Sequence, residues 1–395
     1  MSWLTEDLPG TGGHYKEQPE DFKVEEIPLY PCSGKGEHLY LWIEKEGIST
    51  HELLNQLKQG LRINAREIGY AGLKDARART RQMISVPISA VDRVSGLQLR
   101  GARILLSQLH GNKLRLGHLA GNRFTIRLRN CVQNAEQRAT VILQRLERQG
   151  VPNRFGEQRY GILGNSAVLG RLLLQHQYAD FCRELIGDPQ RIHNSDWQAA
   201  AEAYRQDDFL KCLQRLPQRM RDERRLIRTL VDGRGYQQAA LSLPRNLLRL
   251  YLSAYQSQLF DQLLEQRLPN LYQLYDGDIA YKHDNGACFR VDSACEEQPR
   301  ADRFEISPTA ALFGFKVLRA TGQPGALEEA CLTEAKLTFD SWRLEKGLSM
   351  QGERRPLRVP LFQPAAKADS QTDIILSFSL PKGSYATSVL LELIK

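Results

Sequence analysis

The segment with the clearest chemical character is 69–82 (GYAGLKDARARTRQ), in which one carboxylate lies among cations. Asp75 directly follows Lys74 and is followed by Arg77 and Arg79. Cations this close hold a carboxylate in its ionised form and lower its pKa, which suits an aspartate to act as a nucleophile rather than as an acid. Read alone, the same residues are also typical of a surface aspartate in a turn.

Two later segments place an aromatic residue beside glycines and amides: 151–161 (VPNRFGEQRYG) and 378–388 (FSLPKGSYATS). A loop of this kind can stack a nucleobase while an Asn or Gln side chain hydrogen-bonds to the edge of the base. We expect Asn153 and Tyr385 at the surface, because Asn beside Pro and Tyr beside Gly-Ser are typical of turns. The phenylalanines of the two segments fit core packing better.

The composition and charge of the chain favour a globular protein that binds nucleic acid. Its 395 residues are 42% hydrophobic and 25% charged, which is enough chain for two to three domains and is not typical of long disorder. The formal net charge is +8, and arginine outnumbers lysine by 39 to 15. Arginine's planar fork suits phosphate oxygens and base faces, although a solvated basic surface has the same composition.

No pattern in the chain predicts a metal, a nucleotide cofactor or a membrane span. The seven cysteines form no CxxC pair, the histidines form no HExxH pair, and neither GxxxxGK[ST] nor GxGxxG occurs. No window approaches the ~20 apolar residues of a membrane span, and the first ten residues do not resemble a secretory signal. We therefore expect a cytoplasmic protein without a cofactor, a bound metal or a membrane partner.

Residues 113–116 and 123–129 alternate with the period of two that is typical of strands. In the second stretch Phe124, Ile126 and Leu128 share one face, which we assign to the core. The pattern leaves two interpretations of the opposite face, which either contacts RNA phosphate or is a solvated outer face. That opposite face carries Arg123, Arg127 and Arg129.

The order of the predicted elements indicates an α+β protein whose first and last segments share a domain. Residues 37–45 have the pattern of a strand, and Ser49 opens a capping box ahead of a helix that ends at Gly60. From 165 to 267 the pattern is mostly helical, and 373–380 alternates again as a strand. The simplest architecture is a sheet domain built from both chain ends that carries a central insertion.

Nine short motifs are distributed along the chain, and their order and spacing are more specific than any one of them. They are PEDFKVEE, GEH, AREIGYAGLKDARARTRQ, LRLGHLAGNRFTI, VPNRFGEQRYG, SAYQSQLF, DGD, ISPTAALFG and LPKGSYATSVLLELI. In this order the chain resembles the TruD family of tRNA pseudouridine synthases. The resemblance covers both end segments almost continuously and has anchors in the middle.

The resemblance implies an enzyme that isomerises uridine to pseudouridine in tRNA, typically at position 13, without a cofactor. Asp75, in the family's GxKD motif, would be the nucleophile. Phe22 of the PEDF motif would contact the target base or its neighbour, and Asn153 would bind the uridine. Tyr385 falls where the family has Phe, so the stacking ring is kept and a hydroxyl is added. Lys16, six residues before Phe22, would pair with the nucleophile.

The resemblance also implies a division of the chain into two domains. A pseudouridine synthase catalytic domain with a mixed or antiparallel sheet would comprise residues 1–168 and 350–395. A largely helical insertion domain, residues 169–349, would help to clamp RNA. The candidates for RNA contact are Arg77, Arg79, Arg123, Arg127 and Arg129.

Two other hypotheses use the same sequence features. A non-catalytic RNA-binding protein or RNA chaperone on the same fold would bind RNA with a steep salt dependence and leave it unchanged. The intact GLKD string argues against it, because a binding protein has no need of a lone carboxylate inside a basic loop. A hydrolase of nucleoside or RNA glycosidic bonds would use the same carboxylate and release the free base.

Overall fold

The computed structural model describes residues 2–161 and 163–395, and the chain divides into two compact units. The two-ended unit comprises residues 2–152 and 359–395. The central unit comprises residues 153–358. The central unit is longer at both ends than the insertion domain expected from the resemblance, 169–349, because residues 153–168 and 350–358 make most of their contacts within it. The assignment of a catalytic and an insertion domain stays a prediction.

The described residues contain fifteen strands and thirteen α-helices. The strands are β1 (Gly12–His14), β2 (Phe22–Pro28), β3 (His38–Lys45), β4 (Gly69–Tyr70), β5 (Arg79–Pro87), β6 (Ala102–His110), β7 (Leu119–Cys131), β8 (Val151–Pro152), β9 (Ile279–Lys282), β10 (Cys288–Arg290), β11 (Ile306–Leu312), β12 (Glu353–Pro356), β13 (Arg358–Val359), β14 (Phe362–Ala368) and β15 (Ile374–Pro381). The helices are α1 (Thr50–Gly60), α2 (Val91–Val94), α3 (Ala135–Gln149), α4 (Ser166–Leu174), α5 (Tyr178–Ile186), α6 (Ser195–Arg205), α7 (Phe209–Arg215), α8 (Arg221–Val231), α9 (Tyr236–Leu241), α10 (Arg245–Arg267), α11 (Ala294–Asp302), α12 (Gly322–Glu334) and α13 (Ala386–Ile394).

The two-ended unit is built on a nine-stranded sheet in which strands from both ends of the chain lie side by side. Its main path runs β14-β15-β7-β2-β5-β3-β6, while β1 pairs with β7 and β4 pairs with β5 off that path. The long pairing of β15 with β7 runs from Ile374 opposite Leu128 to Pro381 opposite Gly121. The predicted α+β fold, with a sheet built from both chain ends, is confirmed.

Helices cover one face of this sheet. The apolar residues of β7 alternate inward as predicted, and Phe124, Ile126 and Leu128 are at most 6% exposed. They share one core with apolar residues of α3 and α13. A second core lies under β3 and β5, where α1 contributes leucines and begins at the predicted cap, Ser49. Burial of each large side chain stabilises the unit by about 1.5 to 3 kcal/mol.

The opposite face of the sheet carries a row of alternating charges that crosses five adjacent strands. Glu25 pairs with Arg123 at 3.5 Å and with Arg81 at 3.2 Å. Glu44 pairs with Arg81 at 2.8 Å and with Arg103 at 2.7 Å. The strand register causes this order, because it sets Glu25 opposite both Arg123 and Arg81. Each arginine in the row therefore has a carboxylate on a neighbouring strand.

Within the described parts of the chain, β2 and β5 form the one parallel pair of this sheet. Lys23 lies opposite Arg79, and Glu25 lies opposite Arg81. Parallel strands begin at the same edge of a sheet, so the segments that precede β2 and β5 are brought to one place. Those segments contain Lys16 and Asp75.

The predicted strand at residues 113–116 is wrong. Leu114 is 3% exposed and Leu116 is 69% exposed, although a strand would place both on one face. The backbone instead turns, since Leu114 N donates to Ser85 Oγ at 3.0 Å and Gly117 N donates to the carbonyl of Ala71 at 2.8 Å. The strand preference of four alternating residues is too weak to outweigh the hydrogen bonds that form this turn.

The central unit is mostly helical from α4 to α10, as predicted, and also contains the four-stranded sheet β10-β9-β11-β12. Its longest helix, α10, packs so tightly on α4 that a Cβ on Gly170 would lie 2.1 Å from the carbonyl oxygen of Tyr251. Across the described residues we find no helix with the length and apolarity that a membrane crossing requires.

The turn that leads into β2 is fixed by Asp21, whose side chain is 2% exposed. Its carboxylate accepts from Arg129 Nε at 2.9 Å, from Arg129 Nη2 at 2.7 Å and from Gln18 N at 2.9 Å. These bonds join the segment around Lys16 to the middle of the sheet. The bond from Arg129, opposed by burial, keeps the pKa of Asp21 below its usual value.

We predict that Asp21→Ala lowers the free energy of unfolding by about 2 to 3 kcal/mol at pH 7, because hydrogen bonds to a charged group are lost. Since the pKa of Asp21 is depressed in the folded state, its contribution is complete above the unfolded value of about 4 and disappears as the pH falls through the folded value. Urea denaturation between pH 2 and 7 measures the difference. Glu17→Ala, which removes a 46% exposed carboxylate 3.6 Å from Arg129, serves as the control and should cost under about 1 kcal/mol. Equal losses for the two variants would contradict the role of Asp21.

Candidate active site

The candidate active site of the two-ended unit is the loop 71–78 between β4 and β5, and it is built around Asp75. Asp75 Oδ2 accepts a hydrogen bond from Lys16 Nζ at 2.5 Å, and Oδ1 accepts one from Arg77 N at 2.9 Å. The Asp75 side chain is 29% exposed. A carboxylate can accept about four hydrogen bonds, so these two fix its orientation and leave room for a substrate.

Lys16 is held in place from two sides. Its φ is 65°, in the left-handed region that side-chain-bearing residues rarely adopt, and such conformations cluster at functional sites. Its ammonium group also lies 4.3 Å from the centre of the Phe22 ring, which favours a cation over its face. The predicted pairing of Lys16 with Asp75 is thus present as a contact, and Phe22 helps to place the ammonium group.

The pKa of Asp75 lies below its usual value. Burial acts to raise it, but the bond from Lys16, the bond from the Arg77 amide and the charges of Lys16 and Lys45 together outweigh burial. The cations beside Asp75 in the chain predict the same direction. The structure supplies a different source, because the main cation comes from 59 residues away.

Lys45, at the end of β3, ties down the backbone of the same loop. Its Nζ donates to the carbonyls of Asp75 and Ile48, both at 2.8 Å, and to that of Lys74 at 3.4 Å. The residue is 1% exposed, and burial lowers its pKa to about 8, although the charge of Asp75 acts in the opposite direction. The sequence does not mark Lys45 as a site residue, because one lysine at the end of an alternating strand carries no signal of burial.

Lys74, the neighbour of Asp75 in the chain, forms a separate buried ion pair. Its Nζ lies 2.9 Å from Glu26 Oε2, and the two side chains are 5% and 1% exposed. Burial raises the pKa of Glu26, while Lys74 acts to lower it. Removing one member of a buried pair leaves an uncompensated charge, so this pair locks the loop to β2. The sequence shows both residues inside motifs but does not show that they meet.

The other residues that the resemblance assigned to uridine lie in different settings. Phe22 is 5% exposed and packs on Phe124 with a ring distance of 6.2 Å, so it belongs to the core as well as to the Lys16 contact. Tyr385 is the residue directly before α13 and is 42% exposed, as predicted for a turn.

Asn153 begins the central unit and is 4% exposed, so the expectation of surface exposure is wrong. Its Nδ2 donates to the carbonyl of Pro356 at 2.8 Å, and its Oδ1 accepts from Arg355 at 2.6 Å. Its backbone N also donates to the carbonyl of Leu357 at 2.9 Å. The Asn-Pro signal predicted a turn, but these three bonds draw the residue into the structure.

The arginines proposed for RNA contact are mostly matched by carboxylates. Arg79 pairs with Glu46 at 2.6 Å and with Glu20 at 2.8 Å. Arg127 pairs with Asp369 at 3.0 Å, and Arg123 and Arg129 have the pairs described above. Arg77 is exposed and bonds to Asp75 through its backbone amide. The pattern of one strand shows its arginines but not the carboxylates that neighbouring strands place beside them. Contact of these arginines with RNA stays a prediction.

Comparisons with known proteins agree along the whole chain. Residues 1–393 match the family model described as tRNA pseudouridine synthase D (TruD). A protein named tRNA pseudouridine synthase D from Syntrophotalea carbinolica is 54% identical, covering 100% of this chain and 99% of its own. One of the same name from Thermus thermophilus is 37% identical, covering 100% and 92%.

A solved structure gives the same result for the fold. The crystal structure of a candidate tRNA pseudouridine synthase D (TruD) from Methanosarcina mazei superposes with a TM-score of 0.85 at 27% identity. It covers 100% of this chain and 96% of that one.

We predict that Lys16→Met raises the pKa of Asp75, because the cation that opposes burial is removed. Asp75 then takes up its proton at a higher pH than in the wild type. Carbon NMR of the Asp75 carboxyl group as a function of pH measures the change. Lys23→Met, an exposed lysine on β2, is the matched control and should leave the titration unchanged. Identical curves for wild type and Lys16→Met would refute the assignment.

We predict that Lys45→Met loosens the loop that carries Asp75. Hydrogen bonds from a charged donor contribute about 1.5 to 3 kcal/mol, so exchange of the Arg77 amide should accelerate by about tenfold or more. Hydrogen exchange with mass spectrometry over residues 71–78 measures this. Lys58→Met on the exposed side of α1 is the control. If both variants exchange at the wild-type rate, Lys45 does not hold the loop.

Proposed function

Because this chain belongs to the TruD family of tRNA pseudouridine synthases, we propose that Asp75 is the nucleophile of its reaction. The protein isomerises uridine to pseudouridine in tRNA. The observation that carries the assignment of Asp75 is its pairing with Lys16: the carboxylate is ionised, oriented by two hydrogen bonds and partly exposed. The family match supports an isomerase, and no observation favours the non-catalytic RNA-binding protein.

The reaction itself shows why such a carboxylate is needed. The bond from N1 of uracil to ribose C1′ breaks, the base turns, and C5 bonds to the same carbon while its hydrogen leaves as a proton. The carboxylate of Asp75 forms a transient bond to the ribose or to the base and is released when the C–C bond is complete. Low proton affinity, maintained by Lys16, keeps the nucleophile active near neutral pH.

The uridine must leave its stack to reach Asp75, which costs a few kcal/mol. We propose that the exposed ring of Tyr385 offsets part of this cost by stacking, worth about 1 to 3 kcal/mol. We also propose that Asn153 contacts the uridine, since an amide can donate two hydrogen bonds and accept two, more than Pro356 and Arg355 take up. Phe22 contributes through the position of Lys16 and through the base contact that the resemblance implies.

The target position and the surroundings of the reaction are also proposals. Position 13 of tRNA follows from the resemblance to the family. Arg77, exposed beside Asp75, is the arginine of the two-ended unit that we favour for contact with RNA phosphate near the target. The cytoplasm, where the protein is expected from its sequence, stays a prediction.

We predict that Asp75→Asn lowers the rate of isomerisation by at least about a thousandfold, because the amide is a poor nucleophile. The assay is release of tritium from a tRNA transcript labelled at C5 of uridine, since C5 loses its hydrogen in the product. Asp92→Asn, an exposed aspartate on α2, is the control and should release tritium at the wild-type rate. Full release by a folded Asp75→Asn protein would show that another group is the nucleophile.

Two further measurements in this assay separate the remaining alternatives. A transcript with cytidine at position 13 should release no tritium if that uridine is the target. Chromatography of the products should show pseudouridine, whereas free uracil would indicate a glycosidic hydrolase. Tight tRNA binding without tritium release by the wild type would favour the RNA-binding hypothesis.

A further inference from the structure

The central unit contains an open pocket of about 490 Å³ that lies entirely within residues 153–358. Its walls come from α10, from the segment after Asn153 and from residues 349–353. Three arginines line it, Arg159, Arg249 and Arg355, together with one glutamate, Glu353. The lining therefore has an excess of positive charge.

One wall of the pocket belongs to a row of polar residues on α10. The row repeats every fourth position, so its members lie on successive turns of the helix. Its members are Arg249, Ser253, Ser257, Asp261 and Glu265.

The segment 154–160 docks along this row. Asp261 accepts from Phe155 N at 3.1 Å and from the Tyr160 hydroxyl at 3.0 Å, and Arg154 pairs with Glu265. Burial raises the pKa of Asp261 to about 6, while its bonds act to lower it. These contacts hold the backbone on both sides of Phe155 against α10.

At the open end of the row, the arginines have neutral partners. Arg159 donates to the hydroxyls of Ser253 and Ser257, the latter at 3.0 Å. Arg249, which is exposed, donates to the carbonyls of Gly347 at 3.1 Å and Ser349 at 3.3 Å. Among the described residues neither guanidinium has a carboxylate within ion-pair distance. The positive charge of the β7 arginines, in contrast, is balanced by carboxylates on neighbouring segments.

We propose that this pocket binds a phosphodiester group of the tRNA backbone, held by Arg159 and Arg249. The proposal rests on the proposed function, which supplies tRNA as the ligand. Arginine's fork suits phosphate oxygens, and two guanidiniums that are already oriented by neutral acceptors lose little freedom on binding. Arg355 lies 4.2 Å over the Phe155 ring and adds positive charge to the same wall.

The test is binding of an unmodified tRNA transcript to Arg249→Gln over a range of salt concentrations. Loss of one phosphate contact should weaken binding about tenfold near 100 mM salt and reduce the slope of log affinity against log salt by about 1. Arg249→Lys keeps the charge and should retain most of the slope. Circular dichroism confirms that each variant is folded.

Arg290→Gln is the matched control. Arg290 is also exposed, lies in the same unit and donates to a backbone carbonyl, that of Arg319, but it does not line the pocket. Its slope should equal that of the wild type. An unchanged slope for Arg249→Gln, or an equal loss for Arg290→Gln, would overturn the proposal.

A phosphate group could also come from a small molecule, and calorimetry with inorganic phosphate separates the two sources. Phosphate binding that Arg249→Gln abolishes, with tRNA affinity unaffected, would assign the pocket to a free phosphate compound and overturn the tRNA proposal. Tritium release by the wild type keeps the two proposals distinct. If the wild type releases tritium and Arg249→Gln binds tRNA normally, only the assignment of the pocket fails. If the wild type releases no tritium, the proposed function fails, and the comparison of tRNA binding still tests the pocket.

Discussion

The parallel contact between β2 and β5 is the constraint on which the candidate site depends. It spans three residue pairs, yet it sets the starts of two strands at one edge of the sheet. This alignment brings Lys16 and Asp75, 59 residues apart in the chain, to the same edge of the sheet. β3, antiparallel to β5, ends at that same edge and supplies Lys45 to the loop backbone. The starts of β2 and β5 and the end of β3 together hold the Asp75 carboxylate ionised, oriented and partly exposed.

Much of this arrangement was accessible from the sequence, and the rest depends on pairing that no single segment reveals. The alternation of β7, the cap at Ser49 and the helical middle of the chain are local patterns, and the structure agrees with them. The motif order pointed to Asp75 and Lys16. The role of Lys45 and the Lys74 to Glu26 pair required the sheet order, because their contacts join strands that are distant in the chain.

Contacts between distant segments also explain what the sequence does not show about Asn153 and the arginines of β7. Asn153 beside proline was expected at the surface, but the residues that bury it come from 355–357, about 200 positions later. The sequence shows the arginines of β7 as a basic row, but it does not show that Glu25 of β2 and Asp21 in the turn before β2 pair with them. The charge pattern of one strand shows only one of the two residues in each ion pair. Arg159 and Arg249 of the central unit bond to neutral oxygens instead. The net charge of the chain therefore does not show which arginines lack a carboxylate partner.

The sheet that unites both chain ends also determines when the protein can be completed during synthesis. After β7 has left the ribosome, α3 follows directly and packs on its apolar face, but the strand partner β15 is made only after the whole central unit, 153–358. At about 5 to 20 residues per second this interval is on the order of 10 to 40 seconds. For that time α13 cannot yet complete the core around Phe124, Ile126 and Leu128, and the unpaired edge of β7 can pair with another chain, so the order of synthesis exposes the unit that carries Asp75 to aggregation.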